Sequence, residues 1–220
     1  MSDIFDEINE DLRAERMAAL ARRYGWLVAV AVLAVLLGAG GWQGWRWYQA
    51  RQDNAAATAY LNAADAAAAI PHDPAARQAA MQGLLGLAQH GPAGYRTLAR
   101  LRAAALDADG GDQAQALALW NAVAADQAAD PLMRDLANLL WAMHQVDHGD
   151  PALVGARLKA LTVPANPFAP LAREQLALLD LRLGRVAAAR TALAALAADP
   201  AATPDLRGRA KGLLDQLGGA

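Results

Sequence analysis

The chain has 220 residues, a formal net charge of −2, no cysteine, and 59 alanines within an apolar share of 55%. Lack of cysteine excludes disulfides, thiolate metal sites, a catalytic thiol and an amino-terminal lipid anchor, and Ser2, the only serine, excludes a serine nucleophile in the main body. Alanine favours helix and strand formers are scarce, so an all-α chain is expected; residues 46–220 carry 16 basic and 16 acidic side chains, a balance that offers nucleic acid no attractive field.

Residues 1–23 hold six acids, with Ile4, Ile8 and Leu12 spaced four apart. That pattern predicts a short amphipathic helix in a cytoplasmic tail. From Tyr24 to Trp45 no residue is charged. Those 22 residues reach roughly 33 Å in a helix, enough for a hydrocarbon core of about 30 Å. Tyr24 and Trp26 sit at one end and Trp42, Trp45, Trp47 and Tyr48 at the other, where amphipathic rings favour membrane–water interfaces. Residues 24–45 are therefore expected to be a single transmembrane anchor. A signal peptide cleaved near Gly38–Gly40 is the rival, but its basic leading region is missing. Arg13, Arg16, Arg22 and Arg23 precede the segment and only Arg46 and Arg51 closely follow it. This bias keeps the amino terminus in the cytoplasm and sends residues 46–220 across. Gly40 and Gly44 form a GxxxG pair suited to close helix approach.

The body repeats. Gly111, Gly149 and Gly184 are each followed at five residues by Ala116, Val154 or Ala189. Four further on come Trp120, Leu158 and Leu193, and three beyond those Val123, Leu161 and Leu196. Each glycine is expected to end one helix, and the next to show an apolar stripe. The preceding helices have stripes of their own: Leu132, Leu136, Leu139, Leu140, Met143 and Val146 in one, Ala172, Leu176, Leu179 and Leu183 in another. Prolines at 71, 92, 131, 164, 167, 200 and 204 limit the helices. The expectation is four antiparallel helix pairs and a final helix near Pro204–Leu217, stacked as a solenoid over residues 46–220. A period of 35–38 residues with a turn glycine, a small residue and then a large one resembles tetratricopeptide repeats.

Within this layout, "GWRWYQARQ" leaving the hydrophobic segment and "DNAAATAYLNAADAA" after it resemble the YfgM-like family of ancillary Sec-translocon subunits. The resemblance implies a bacterial inner-membrane protein with periplasmic tetratricopeptide-like repeats. It also implies a SecYEG-type channel and periplasmic chaperones as partners, and a role in helping exported proteins leave the channel. Two lysines against 18 arginines agree with a GC-rich bacterial genome. A scaffold in envelope assembly or division, unrelated to export, is the alternative.

Little in the sequence suggests catalysis. His144 and His148 stand four apart on a helix, but Gln145 occupies the place where a zinc-protease motif needs glutamate, so no metal is expected. No glycine loop has dinucleotide or phosphate-binding spacing, so neither cofactor nor small-molecule substrate is expected. Trp120 falls on its helix's apolar arc. Trp141 points away from its own, towards Arg134 and Asn138, either packing on the next repeat or offering an aromatic anchor to a partner.

Overall fold

The computed structural model describes the backbone of residues 3–69 and 74–218, and the side chains of residues 22, 26, 27, 30–67 and 74–218. Among them the chain is all helix: α1 (Asp3–Ala69), α2 (Pro74–His90), α3 (Ala93–Gly110), α4 (Gln113–Ala125), α5 (Pro131–Met143), α6 (Pro151–Ala160), α7 (Ala169–Arg182), α8 (Val186–Ala197) and α9 (Pro204–Gln216). Residues 1–54 form one unit and residues 55–220 another.

The transmembrane expectation requires correction. Among the described residues no helix is long and apolar enough to cross a membrane. Between Val30 and Trp45 the described side chains include four glycines and Gln43, and Arg46 follows. The single-pass anchor at 24–45 is withdrawn, and with it the inner-membrane localisation, the cytoplasmic amino terminus and the periplasmic placement of the repeats. The backbone at Ile4, Ile8 and Leu12 belongs to α1, while the side chains of these three and of Arg23 and Tyr24 lie outside those described. Arg22, Trp26, Trp42, Trp45, Trp47 and Tyr48 are exposed on α1, and the Arg51 guanidinium lies 4.4 Å from the Trp47 ring centre.

In the unit beginning at Ala55, each helix from α2 onward packs on the next. In addition, α5 touches α7 and α7 touches α9. These three therefore form a row, while α6 and α8 stand off it, each touching both its chain neighbours. Three apolar cores follow in succession. The first joins residues 60–67 of α1 to α2 and α3, the second runs from α3 to α7, and the third lies among α7, α8 and α9.

Local chemistry sets the helix starts. Asp130 and Asp150 accept hydrogen bonds from the backbone N–H of Leu132 (2.8 Å) and Ala152 (2.9 Å), each with proline as the first helical residue. The side chain satisfies an otherwise orphaned donor, and proline sits where no donor is needed. Asp112 caps α4 by accepting from the Gln115 N–H, and Thr203 caps α9 by accepting from the Leu206 N–H. The turn glycines divide into two kinds. Gly111 (φ 88°) and Gly184 (φ 72°) hold the left-handed backbone between α3 and α4 and between α7 and α8. Gly149 does not. A β-carbon there would lie 2.6–2.8 Å from Gln145 atoms, so close approach is what demands glycine, and a turn over 144–148 separates it from α5.

The apolar arcs are broader than a single stripe. α5 buries Ala137, Leu139, Trp141 and Ala142 but leaves Leu132 and Met143 each 40% exposed. α7 buries Ala169, Glu174, Gln175 and Ala177 as well as Ala172 and Leu179, while Leu183 is exposed. Both helices are flanked on more than one side, so one-sided periodicity underestimates what they bury.

Gly184→Ala forces a side chain into left-handed backbone and should lower stability by about 1–2 kcal/mol. Gly208→Ala, within α9 with nothing near its would-be β-carbon, should raise stability by about 0.5–1 kcal/mol. Urea unfolding of the two variants, with midpoints shifting in opposite directions, checks both.

Candidate functional site

The row of α5, α7 and α9 carries an open depression of about 670 Å³. Its position follows from the segment between α6 and α7. The Asn166 Oδ1 accepts from the Phe168 N–H (2.9 Å), and its Nδ2 donates to the Asp135 Oδ2 on α5 (2.9 Å). α7 is thereby started beside α5. From α7 come Glu174, Gln175 and Leu178, and from α9 come Arg209, Gly212, Leu213 and Gln216, which share one face at spacings of three and four. Met143, the last residue of α5, closes one end.

One ion pair governs the electrostatics. Arg209 donates through Nε and Nη2 to the two carboxylate oxygens of Glu174, both at 2.9 Å. The Glu174 side chain is only 6% exposed, so without this fork its charge would be buried unpaired. The hydrogen bond to Glu174 raises the Arg209 pKa further above its ordinary value. Beside them Gln175 is 7% exposed and lines the depression. The sequence reading missed both residues. The only signal was a polar pair at 174–175 within an otherwise alanine- and leucine-rich helix.

The residues singled out in the repeats lie elsewhere, in the interior. Ala116, Trp120 and Val123 of α4 are buried, as are Val154 and Leu158 of α6, Leu161 just after it, and Ala189, Leu193 and Leu196 of α8. Trp141 is 6% exposed, with the Arg157 guanidinium 3.8 Å from its ring centre. Arg157 also donates to the Asn121 Oδ1 at 2.7 Å, joining α6 to α4, and burial lowers its pKa. The outward group here is the guanidinium edge rather than the indole.

Two further arginines act as clasps between a helix and a distant loop. Arg100 pairs with Asp126 at 3.0 Å and Arg173 with Asp199 at 2.7 Å, each pair 26 residues apart. The two clasps are offset by 73 residues, as are Gly111 and Gly184. At the middle repeat the corresponding residues are Asn138 and Pro164, and that clasp is absent. The Ala128 N–H, followed by Arg100, holds the Asp126 carboxyl below its usual range.

His144 and His148 do not converge. The His144 ring lies against Trp120, centres 4.6 Å apart and planes tilted by 30°, and both His144 and His148 are exposed. Among the described residues no group of three or more acidic, histidine or cysteine side chains is placed to hold a metal.

Residues 21–192 match the tetratricopeptide repeat-like domain family. No curated protein and no solved structure matches the chain.

Partial burial against Trp120 lowers the His144 pKa, a shift only partly opposed by Asp109. The folded state thus binds this proton less readily than the unfolded chain, whose imidazole titrates near 6.5. Stability should be unaffected well above pH 6.5 and fall as pH drops below it, until the folded-state pKa is passed. Urea midpoints at pH 7.5 and 5.0 should differ more for the native chain than for His144→Gln.

Proposed function

The chain belongs to the tetratricopeptide repeat-like domain family, and on that premise we propose that it is a non-enzymatic scaffold that binds other proteins along the row of α5, α7 and α9. The observation that carries this is the depression on that row, which folding leaves open beside the Glu174–Arg209 pair. Among the described residues, Trp120, Leu158 and Leu193 fill the interior.

The specific partners follow from the resemblance carried by "GWRWYQARQ" and "DNAAATAYLNAADAA". In this reading the chain is an accessory subunit of the Sec protein-translocation machinery. It meets the protein-conducting channel and chaperones of exported proteins, and assists chains as they leave the channel. The groove suits such work because it needs no chemistry of its own, only a surface presented at fixed spacing by rigid helices.

A photo-crosslinking amino acid placed at Leu213 or Gln216, with Ala195 on α8 as a control outside the groove, tests the proposal in cells. The groove positions should capture channel subunits or chaperones of exported proteins that the control does not. Capture of envelope-assembly or division proteins instead would overturn the export reading and favour the scaffold alternative. No groove-specific protein adduct would overturn protein binding by this row.

A further inference from the structure

We infer that the cavity between α2 and α3 binds an alkylguanidinium cation, free or borne by the arginine of a partner, seated on Asp107 and Asp112. The site lies apart from the row of α5, α7 and α9 and does not rest on the reading of that row.

The cavity holds about 380 Å³. Arg77 and Met81 of α2 line it together with Leu106, Asp107 and Gly110 of α3 and with Asp112, the cap of α4. The chain supplies its own comparison for this site. The turn at Gly111 recurs 73 residues later at Gly184, with the same left-handed backbone. The Asp112 N–H donates to the Asp107 carbonyl at 2.9 Å, as the Arg185 N–H donates to the Asp180 carbonyl at 2.8 Å. Asp107 and Asp180 are therefore equivalent in place, and so are Asp112 and Arg185. In the second copy Arg185 donates through Nε (2.8 Å) and Nη2 (2.6 Å) to the Asp180 Oδ1. In the first copy an acid stands where that guanidinium is rooted.

Asp107 is left without its cation. Its Oδ2 is buried and accepts no hydrogen bond, a costly state for a carboxylate. Burial, and after it the Asp112 charge, raises the Asp107 pKa above its ordinary value, and Arg77 only partly opposes the shift. Among the described residues no ion pair joins Arg77 to either acid. Its Nη1 lies over Gly110, 2.5 Å from where a β-carbon would sit. Two acids against one arginine leave the cavity net negative, while Met81 and Leu106 offer apolar surface to an alkyl stem. Arg185 serves Asp180 through one oxygen, so a ligand needs only the other oxygen of Asp107. A guanidinium suits the site better than an ammonium, because its planar fork sets several donors in fixed directions.

Titration of the full nitrogen-15-labelled chain with butylguanidinium, followed by amide NMR, tests the inference. The Gly110, Gly111 and Asp112 amides should shift saturably, and butylammonium should bind at least tenfold more weakly. Asp107→Asn leaves the α4 cap in place and should abolish the shifts without lowering the thermal midpoint, which separates lost binding from lost folding. Arg77→Gln removes the competing charge and should tighten binding. Asp109→Asn, at an exposed acid outside the cavity, should leave affinity unchanged. A blocked peptide, acetyl-Ala-Arg-Ala-amide, separates the two sources. Tighter binding than butylguanidinium assigns the site to a partner's arginine, and equal or weaker binding assigns it to a free cation. Absence of saturable shifts, or shifts that persist in Asp107→Asn, would overturn the inference.

Discussion

Close helix approach through alanine is the constraint on which the rest of this structure depends. Ala99, Ala103, Ala104, Ala116, Ala137, Ala142, Ala172, Ala189 and Ala210 are all fully buried. Where the small side chains meet, helix axes can come near the lower end of the usual 8–10 Å range. Larger residues, Trp120, Leu158 and Leu193, then fill the spaces left between hairpins. No hairpin could bury such a surface alone, so each needs the next. That need produces three cores in succession rather than a single centre.

Polar interactions refine this arrangement without driving it. The Arg100–Asp126 and Arg173–Asp199 clasps are partly exposed, and pairs of that kind contribute little in isolation. Their value is geometric, since each fixes a loop to the helix one hairpin back. The middle repeat, lacking the clasp, ties its loop through Asn166 and Asp135 instead. Arg182 donates to the carbonyls of Val146 and Gly149, both at 2.9 Å, fastening the α5–α6 turn to α7. Glu174–Arg209 differs from all of these because its acid is buried. It therefore both joins α7 to α9 and keeps the groove neutral.

How much of this was legible varies with the range of the interaction. Prolines and capping acids act within a few residues, and the helix starts at Asp130–Pro131, Asp150–Pro151 and Thr203–Pro204 follow from them. The three glycines align in sequence, yet only Gly111 and Gly184 are left-handed. Gly149 answers to a contact with Gln145 that spacing does not reveal. The uncharged run at 24–45 was overread, because its rings and arginines suggested an anchor that no described helix provides. The 73-residue offset of the clasps was present in the letters but hidden, because nothing local marks which arginine meets which aspartate.

Sequence alone determined that the chain is helical, where most helices begin and break, and that a hairpin of about 35–38 residues recurs. These follow from propensity, capping and periodicity, all of which operate along one stretch of chain. Only the tertiary structure decided that Glu174 and Gln175 line an opening, that Arg209 reaches back 35 residues to neutralise one of them, and that Trp141 is covered by Arg157. The reason is that α7 touches α5, α8 and α9 at once. Which of its polar side chains is paired, sealed or left facing a groove depends on how those neighbours meet, and no pattern within α7 records it.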